Sequence, residues 1–138
     1  MICKSKINVR YAETDKMGIV YYANYAVWYE IGRTNFLKQA GISYSNMENI
    51  GIMVPVVDLN IHYISPAKYD DNIIIETTAE DFSPVKIKFN YKVYKEGINE
   101  VINKGTTTHC WVNDKFKLIN LKRTYPDIYL KLKNSISQ

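Results

Sequence analysis

The fold is decided by a stretch that reads YANYAVWYEIGRTNFLKQA, residues 22–40. Its apolar residues recur three and four positions apart, which is the spacing that aligns side chains along one side of an α-helix. The stretch therefore predicts a long helix, and the breadth of the apolar stripe indicates that the helix is largely buried. The stripe consists of Tyr25, Trp28, Gly32 and Phe36, and is widened by Val27, Ile31 and Leu37.

The C-terminal end of this helix is marked by Gly41, since glycine adopts the left-handed conformation that closes helices. Lys38 in the last turn favours the same end through the helix dipole. Glu30 and Arg33 are three residues apart within the helix and are predicted to form a local ion pair. That pairing makes Glu30 only a reserve candidate for a catalytic acid.

The rest of the chain consists mainly of predicted β-strands, because apolar and polar residues alternate with period two. The cleanest alternation runs from Val85 to Val93. One apolar face of the sheet has to be covered, and the predicted helix is the only segment long enough to cover it. We therefore expect an α+β fold with about five antiparallel strands wrapped around one helix. The predicted strands are residues 5–11, 57–63, 72–80, 85–93 and 98–112, and a further helix begins near Pro126.

Length and composition limit the class of protein. The 138 residues suit a single domain, residues 1–138, and the hydrophobic fraction of 46% is that of a globular chain. No apolar run approaches the roughly 20 residues that span a bilayer, so we expect no membrane insertion and a cytoplasmic location. Cys3 and Cys110 are interpreted as reduced thiols without a chemical role.

The charge and ligand patterns argue against several kinds of site. The net charge of +4 suits an anionic ligand, but it is too small and too scattered to indicate nucleic acid. His62 and His109 lie in separate strand patterns, and neither they nor the cysteines have the spacing of metal ligands. We therefore expect no cofactor, no metal and no nucleic-acid partner.

Two segments resemble a known family. The first, residues 10–25, reads RYAETDKMGIVYYANY. Here Asp15 closes the loop after the first strand, Gly18 follows three residues later, and an Asn-Tyr pair opens the long helix. This pattern resembles the signature of the 4-hydroxybenzoyl-CoA thioesterase family within the hot-dog superfamily. The second segment, residues 63–71, reads YISPAKYDD and resembles the passage that precedes the third strand in that family.

The resemblance implies a hot-dog fold, in which a five-stranded antiparallel sheet wraps around a central helix. It also implies a hydrolase that cleaves an acyl-CoA, or a related acyl thioester, to the free acid and a thiol. Subunits of the family join edge to edge into a homodimer, often paired again into a homotetramer, with active sites at the subunit interface. A free strand edge independently favours such association, because its backbone groups can pair with a second copy.

Thioester hydrolysis requires a carboxylate that activates water or attacks the carbonyl, together with donors for the resulting oxyanion. By analogy with the family motif, Asp15 is the catalytic carboxylate, as base or as nucleophile. The expected oxyanion donor is the N-H of Tyr22, with that of Ala23, because the first N-H groups of a helix have no partner within it. A proline at position 22 should therefore be severely damaging. The competing role for Asp15 is to cap a turn.

The other site candidates surround this pair. Gly18 keeps the loop in register with the family motif, and Asn24 is expected to cap the helix or to orient the substrate. Tyr25 is expected in the core or against the acyl group. The candidate partners for the phosphates of CoA are Lys86 and Lys88 on one strand, or Lys68 in the preceding loop.

Three questions stay open on the sequence. Tyr22 stands where short-chain acyl-CoA thioesterases of one branch often have His, so the motif does not define the acyl group. It does not define the carrier either, which is CoA or an acyl-carrier protein. The alternative function is a non-catalytic module that binds an acyl thioester, because a hot-dog pocket can hold a ligand without hydrolysing it.

Overall fold

The computed structural model describes residues 1–138, which form a five-stranded antiparallel sheet folded against one long helix. The strands are β1 (Cys3–Asn8), β2 (Val56–Tyr63), β3 (Asn72–Glu80), β4 (Lys86–Lys95) and β5 (Val101–Cys110), and the helices are α1 (Asn24–Gln39), α2 (Tyr44–Asn49), α3 (Leu121–Thr124) and α4 (Pro126–Ile136), with a short 3₁₀ helix at Tyr11–Glu13. The strand order is β1, β3, β4, β5, β2, so β1 and β2 form the two edges. The predicted α+β class is confirmed.

Helix α1 packs its apolar stripe against β1, β3 and β4. Phe36 is fully buried there, and Gly32 allows so close an approach that a Cβ at this position would overlap the Thr77 hydroxyl. The helix ends as predicted before Gly41, whose φ is 84°. Val27 differs from the prediction because it is 47% exposed. One sheet covers only one side of a helix, so the apolar stripe is wider than the surface that receives it.

The centre of the sheet follows the predicted alternation. Strand β3 pairs with β4 from Ile73 opposite Lys95 to Glu80 opposite Lys88. The inward-facing residues of β4 are all buried, whereas their neighbours on the outer face are exposed or half-buried. The buried set is Ile87, Phe89, Tyr91 and Val93. The apolar face predicted from the sequence is therefore the face that contacts α1.

Strand β2 is an edge strand with its apolar side chains exposed. It pairs only with β5, and its other edge is free. Val57 is 59% exposed, Leu59 is 47% exposed and Tyr63, at the end of the strand, is 53% exposed. The alternation predicts the strand correctly, but this chain does not cover its apolar residues. A free apolar edge of this kind is a template on which another strand can pair.

Helix α2 is not predicted by the sequence patterns. Its six residues carry no apolar periodicity. The Ser43 hydroxyl accepts the N-H of Asn46 at 3.4 Å, and the buried Met47 holds the helix on the core. A single cap and a single anchor residue therefore suffice here, because tertiary packing supplies the rest.

The predicted ion pair between Glu30 and Arg33 is wrong, since neither residue takes part in any of the ion pairs of the protein. The Arg33 charge instead acts on His109, a fully buried residue of β5. Burial, and then the Arg33 charge, lower the pKa of His109 to about 4. The neutral ring is held by the Thr107 hydroxyl at 2.8 Å and the Val54 carbonyl at 3.2 Å.

Candidate active site

Asp15 lies in a tight turn that precedes α1. The N-H of Gly18 donates to the Asp15 carbonyl at 3.0 Å, and Gly18 has a φ of 77°, which glycine adopts without strain. One carboxylate oxygen of Asp15, Oδ1, accepts the N-H of Met17 at 2.8 Å. The turn-capping role of Asp15 is therefore present. The other oxygen, Oδ2, has no hydrogen-bond partner in the protein, so capping leaves half of the carboxylate free for chemistry.

Glu13 anchors this loop to the long helix. Its side chain is buried and accepts hydrogen bonds from Trp28 Nε1 at 2.8 Å and from the backbone N-H of Arg10 at 2.9 Å. Burial by itself raises the pKa of Glu13, but these two hydrogen bonds and the Arg10 charge outweigh it and leave the pKa below its usual value. The carboxylate is therefore ionised and fully engaged, which makes it a structural anchor and not a second catalytic acid.

The start of α1 presents free backbone N-H groups. The amides of Tyr22 and Ala23 donate to no acceptor in the protein, whereas the N-H of Tyr21 donates to the Glu13 carbonyl at 2.8 Å. The predicted capping role of Asn24 is wrong, because Asn24 is the first residue of the helix and Ala23 occupies the N-cap position; the Asn24 Nδ2 instead donates to the same Glu13 carbonyl at 2.8 Å. The Asn24 side chain thus ties the loop to the helix and leaves the terminal amides unpaired.

An apolar pocket of about 340 Å³ lies beside the Asp15 turn. Seven of its ten lining residues are hydrophobic, and Asp15 is the one charged residue among them. The rings of Tyr25 and Tyr63 meet edge to face, with centroids 5.5 Å apart. The lining residues are Asp15, Met17, Ile19, Val20, Tyr22, Tyr25, Tyr63, Ile64, Ser65 and Pro66. A free carboxylate oxygen beside an aromatic-walled pocket can act on an electrophilic carbon of an apolar ligand.

The structure places three of the seven predicted site residues in the lining of the pocket, and Ala23 and Asn24 are not among the lining residues. Asp15, Tyr22 and Tyr25 line the pocket, and Gly18 shapes the turn. Lys86 does not line this pocket. It lies on the exposed outer side of β4, so its contact with CoA phosphates stays a prediction.

Sequence reasoning missed two hydroxyl-bearing residues of the pocket, Ser65 and Tyr63, and Tyr63 contacts Tyr22 from the end of β2. Its hydroxyl donates to the Tyr22 carbonyl at 2.9 Å. The segment that begins with Tyr63 resembles the family pattern only as a whole. The motif is therefore the one available signal, and it carries no indication of what its tyrosine contacts.

The protein has no side-chain cluster or helix that matches the other kinds of site considered from the sequence. No group of three or more His, Cys, Asp or Glu side chains is arranged to hold a metal ion. Cys3 and Cys110 are both free, as expected. None of the helices has the length and apolar character needed to cross a membrane.

The strand order and the central helix define a hot-dog fold, the class that the sequence motifs imply. The chain belongs to the thioesterase-like superfamily, whose sequence profile matches residues 9–123. The expectation of a hot-dog thioesterase is therefore confirmed.

Individual relatives agree with this assignment. The chain is 43% identical to the "Putative acyl-CoA thioesterase YneP" of Bacillus subtilis over 127 residues, which is 91% of each chain. It superposes on the solved structure of a DHNA-CoA thioesterase from Staphylococcus aureus with a TM-score of 0.94 and 34% identity, covering 99% of this chain and 91% of that one. It is also 28% identical to the acyl-CoA thioester hydrolase YbgC of Escherichia coli over 87 residues, 63% of this chain and 65% of the relative.

Proposed function

We propose that the protein hydrolyses an acyl-CoA whose acyl group is apolar and bears a ring. The observation that carries this proposal is the aromatic-walled pocket that Asp15 and Tyr22 both line, in which Asp15 has a free Oδ2 and Tyr22 has an unpaired backbone N-H. These are the two parts that thioester hydrolysis needs, a carboxylate and oxyanion donors.

Two routes use the same oxygen of Asp15. As a base, Asp15 takes a proton from water while the hydroxide adds to the thioester carbonyl carbon; the oxyanion then collapses, the C-S bond breaks and the thiolate recovers the proton. As a nucleophile, Asp15 adds to the carbonyl carbon itself, the thiolate leaves, and water hydrolyses the resulting mixed anhydride. In both routes negative charge develops on the carbonyl oxygen, where the N-H groups of Tyr22 and Ala23 stabilise it. One such donor contributes roughly 3 to 4 kcal/mol to transition-state stabilisation.

The pocket wall supports a ring-bearing acyl group. Tyr22, Tyr25 and Tyr63 supply flat apolar surfaces that pack against an aromatic group face-on or edge-on. The Staphylococcus aureus relative is a DHNA-CoA thioesterase, and its structure aligns with nearly the whole chain. A dihydroxynaphthoyl or similar aromatic thioester is therefore the first substrate to test.

We also propose that the working unit is a homodimer or a larger homo-oligomer joined through β2. The free edge of this strand carries exposed apolar residues, of which Leu59 is one. Tyr63, at the end of the same strand, lines the pocket. A second copy on this edge would cover the exposed apolar residues and lie next to the pocket.

The test measures thiol release from a panel of aromatic, short-chain and long-chain acyl-CoAs, with the reaction of Cys3 and Cys110 subtracted. Asp15→Asn removes the reactive oxygen, and we expect a loss of at least about 100-fold in kcat. Asp114→Asn is the matched control, because Asp114 is exposed and lies outside the pocket. Circular dichroism and a melting curve establish that each variant is folded.

The outcomes separate the alternatives. Hydrolysis of an aromatic acyl-CoA that is lost in Asp15→Asn and retained in Asp114→Asn supports the proposal. Equal activity of the parent and Asp15→Asn contradicts the role of Asp15. Binding of acyl-CoA without hydrolysis by the folded parent favours the non-catalytic module, and hydrolysis of straight chains alone contradicts the aromatic preference.

A further inference from the structure

We infer that Tyr63 is a positioning residue for this hydrolysis, because its hydroxyl fixes the direction of the Ala23 N-H. The inference rests on the proposed function, in which that N-H is one of the two oxyanion donors. Its basis is the hydrogen bond from the Tyr63 hydroxyl to the Tyr22 carbonyl, which spans 2.9 Å and joins residues 41 positions apart.

The link between the two residues is the peptide plane. The Tyr22 carbonyl and the Ala23 N-H belong to one peptide group, which is planar and trans, so the two bonds point in opposite directions. Ala23 has φ −71° and ψ −19°, which are helical values. The N-H therefore points off the open end of α1 when the carbonyl is held back along the helix. The Tyr63 hydroxyl holds it there.

The Tyr22 carbonyl needs a hydrogen-bond partner because Tyr22 lines the pocket in which the oxyanion would form. A carbonyl that rotates toward the pocket presents a partial negative charge to the oxyanion that develops in the reaction, and it turns the Ala23 N-H away at the same time. A hydrogen bond from Tyr63 opposes both movements. Oxyanion stabilisation depends on donors that are already aimed before the charge develops.

Tyr63 is itself held firmly. It belongs to β2, which pairs with β5 over its whole length, and its ring packs edge to face on the buried Tyr25. Burial, and then the neighbouring Tyr22, raise the pKa of Tyr63, so the hydroxyl remains a donor at alkaline pH. The donor therefore lies on the sheet, and its acceptor lies just before the start of α1.

The primary experiment compares Tyr63→Phe with the parent on the preferred acyl-CoA. Phenylalanine keeps the ring packing and removes only the hydroxyl. We expect kcat to fall about tenfold, KM to change less than twofold, and the shape of the pH-rate profile to stay the same. Tyr94→Phe is the matched control, since the Tyr94 hydroxyl has no hydrogen-bond partner and lies away from the pocket.

A second variant tests whether Tyr63 acts through Ala23. Proline fits at position 23, because its fixed φ is close to the observed −71°, and it removes the N-H. Ala23→Pro should lower kcat, and Tyr63→Phe should have no further effect in that background. In ¹⁵N-¹H spectra of the single variant Tyr63→Phe, the Ala23 amide should shift, which reports the lost hydrogen bond without any substrate.

Several results would overturn the inference. Three of them concern Tyr63→Phe alone: an unchanged kcat, a change only in KM, or loss of an alkaline limb of the pH profile, which would make Tyr63 a proton donor. The fourth is a full tenfold fall in kcat when Tyr63→Phe is added to Ala23→Pro. Each of them is compatible with an Asp15→Asn variant that is inactive, so the inference can fail while the proposed function stands. If Asp15→Asn is as active as the parent, the proposed function itself fails.

Discussion

Replacement of Glu13 by Gln tests how the active-site loop is anchored. Glu13 uses both carboxylate oxygens: Oε1 accepts the Arg10 N-H at 2.9 Å and Oε2 accepts the Trp28 Nε1 proton at 2.8 Å. Glutamine offers only one acceptor oxygen, so one of these donors then faces an NH₂ group. A hydrogen bond to a charged partner contributes about 1.5 to 3 kcal/mol. We therefore expect Glu13→Gln to lower the free energy of unfolding by about 2 to 3 kcal/mol.

The assay is urea unfolding at pH 7, followed by tryptophan fluorescence. Arg10→Gln is the matched control, because it removes the ion pair to Glu13 and keeps the backbone N-H. The Arg10 side chain is largely exposed, so this control should cost less than about 1 kcal/mol. If Glu13→Gln costs no more than Arg10→Gln, the reasoning from the two hydrogen bonds is wrong.

The sign of the pH effect gives a second check on Glu13. Its pKa in the folded protein is lowered, so its stabilising contribution is complete above the unfolded value of 4.5 and is lost as the pH falls through the folded value. The difference in stability between the parent and Glu13→Gln should therefore be smaller at pH 3 than at pH 7.

Three further predictions concern the core and the free edge. The pKa of His109 is about 4, against 6.5 for an unperturbed histidine, so the unfolded chain binds a proton between these pH values before the folded protein does. We therefore expect the free energy of unfolding to fall by about 3 kcal/mol between pH 7 and pH 4 because of this residue. In urea unfolding, His109→Gln should lack this part of the pH dependence. Gly32→Ala should lower Tm, because overlap with the Thr77 hydroxyl costs roughly 1 to 3 kcal/mol and exceeds the helix-propensity gain of about 1 kcal/mol; a higher Tm would contradict the close approach of α1 to the sheet. Leu59→Lys places a charge on the exposed side of β2 and should give a monomer by size-exclusion chromatography with light scattering, whereas an unchanged mass would argue against association through β2.

The regular elements were predictable because their signals are local. The period of the apolar residues in α1 and β4 directly reflects which faces are buried, and Gly41 adopts the positive φ that closes the helix. Helix α2 could not be predicted in this way. Its helical state depends on Met47 packing into a core that is built by distant strands.

The candidate site was predictable to the extent that it is contained in one motif. Asp15, Gly18 and Tyr22 are near neighbours along the chain, so their spacing can be read directly from the sequence. The anchors of the site depend on contacts that span the chain: Trp28 meets Glu13 across 15 positions, and Tyr63 meets Tyr22 across 41. No periodicity or spacing rule indicates which tyrosine reaches which carbonyl.

At position 22, catalysis and the choice of substrate depend on different parts of the same residue. On the proposed mechanism the reaction uses its main-chain N-H, which nineteen of the twenty amino acids share, while the side chain faces the acyl group. Point mutations of that codon, other than those to proline, can therefore alter which thioester is accepted and leave the oxyanion donor intact. Single substitutions at this position can therefore give the protein new substrates while its catalytic activity is kept.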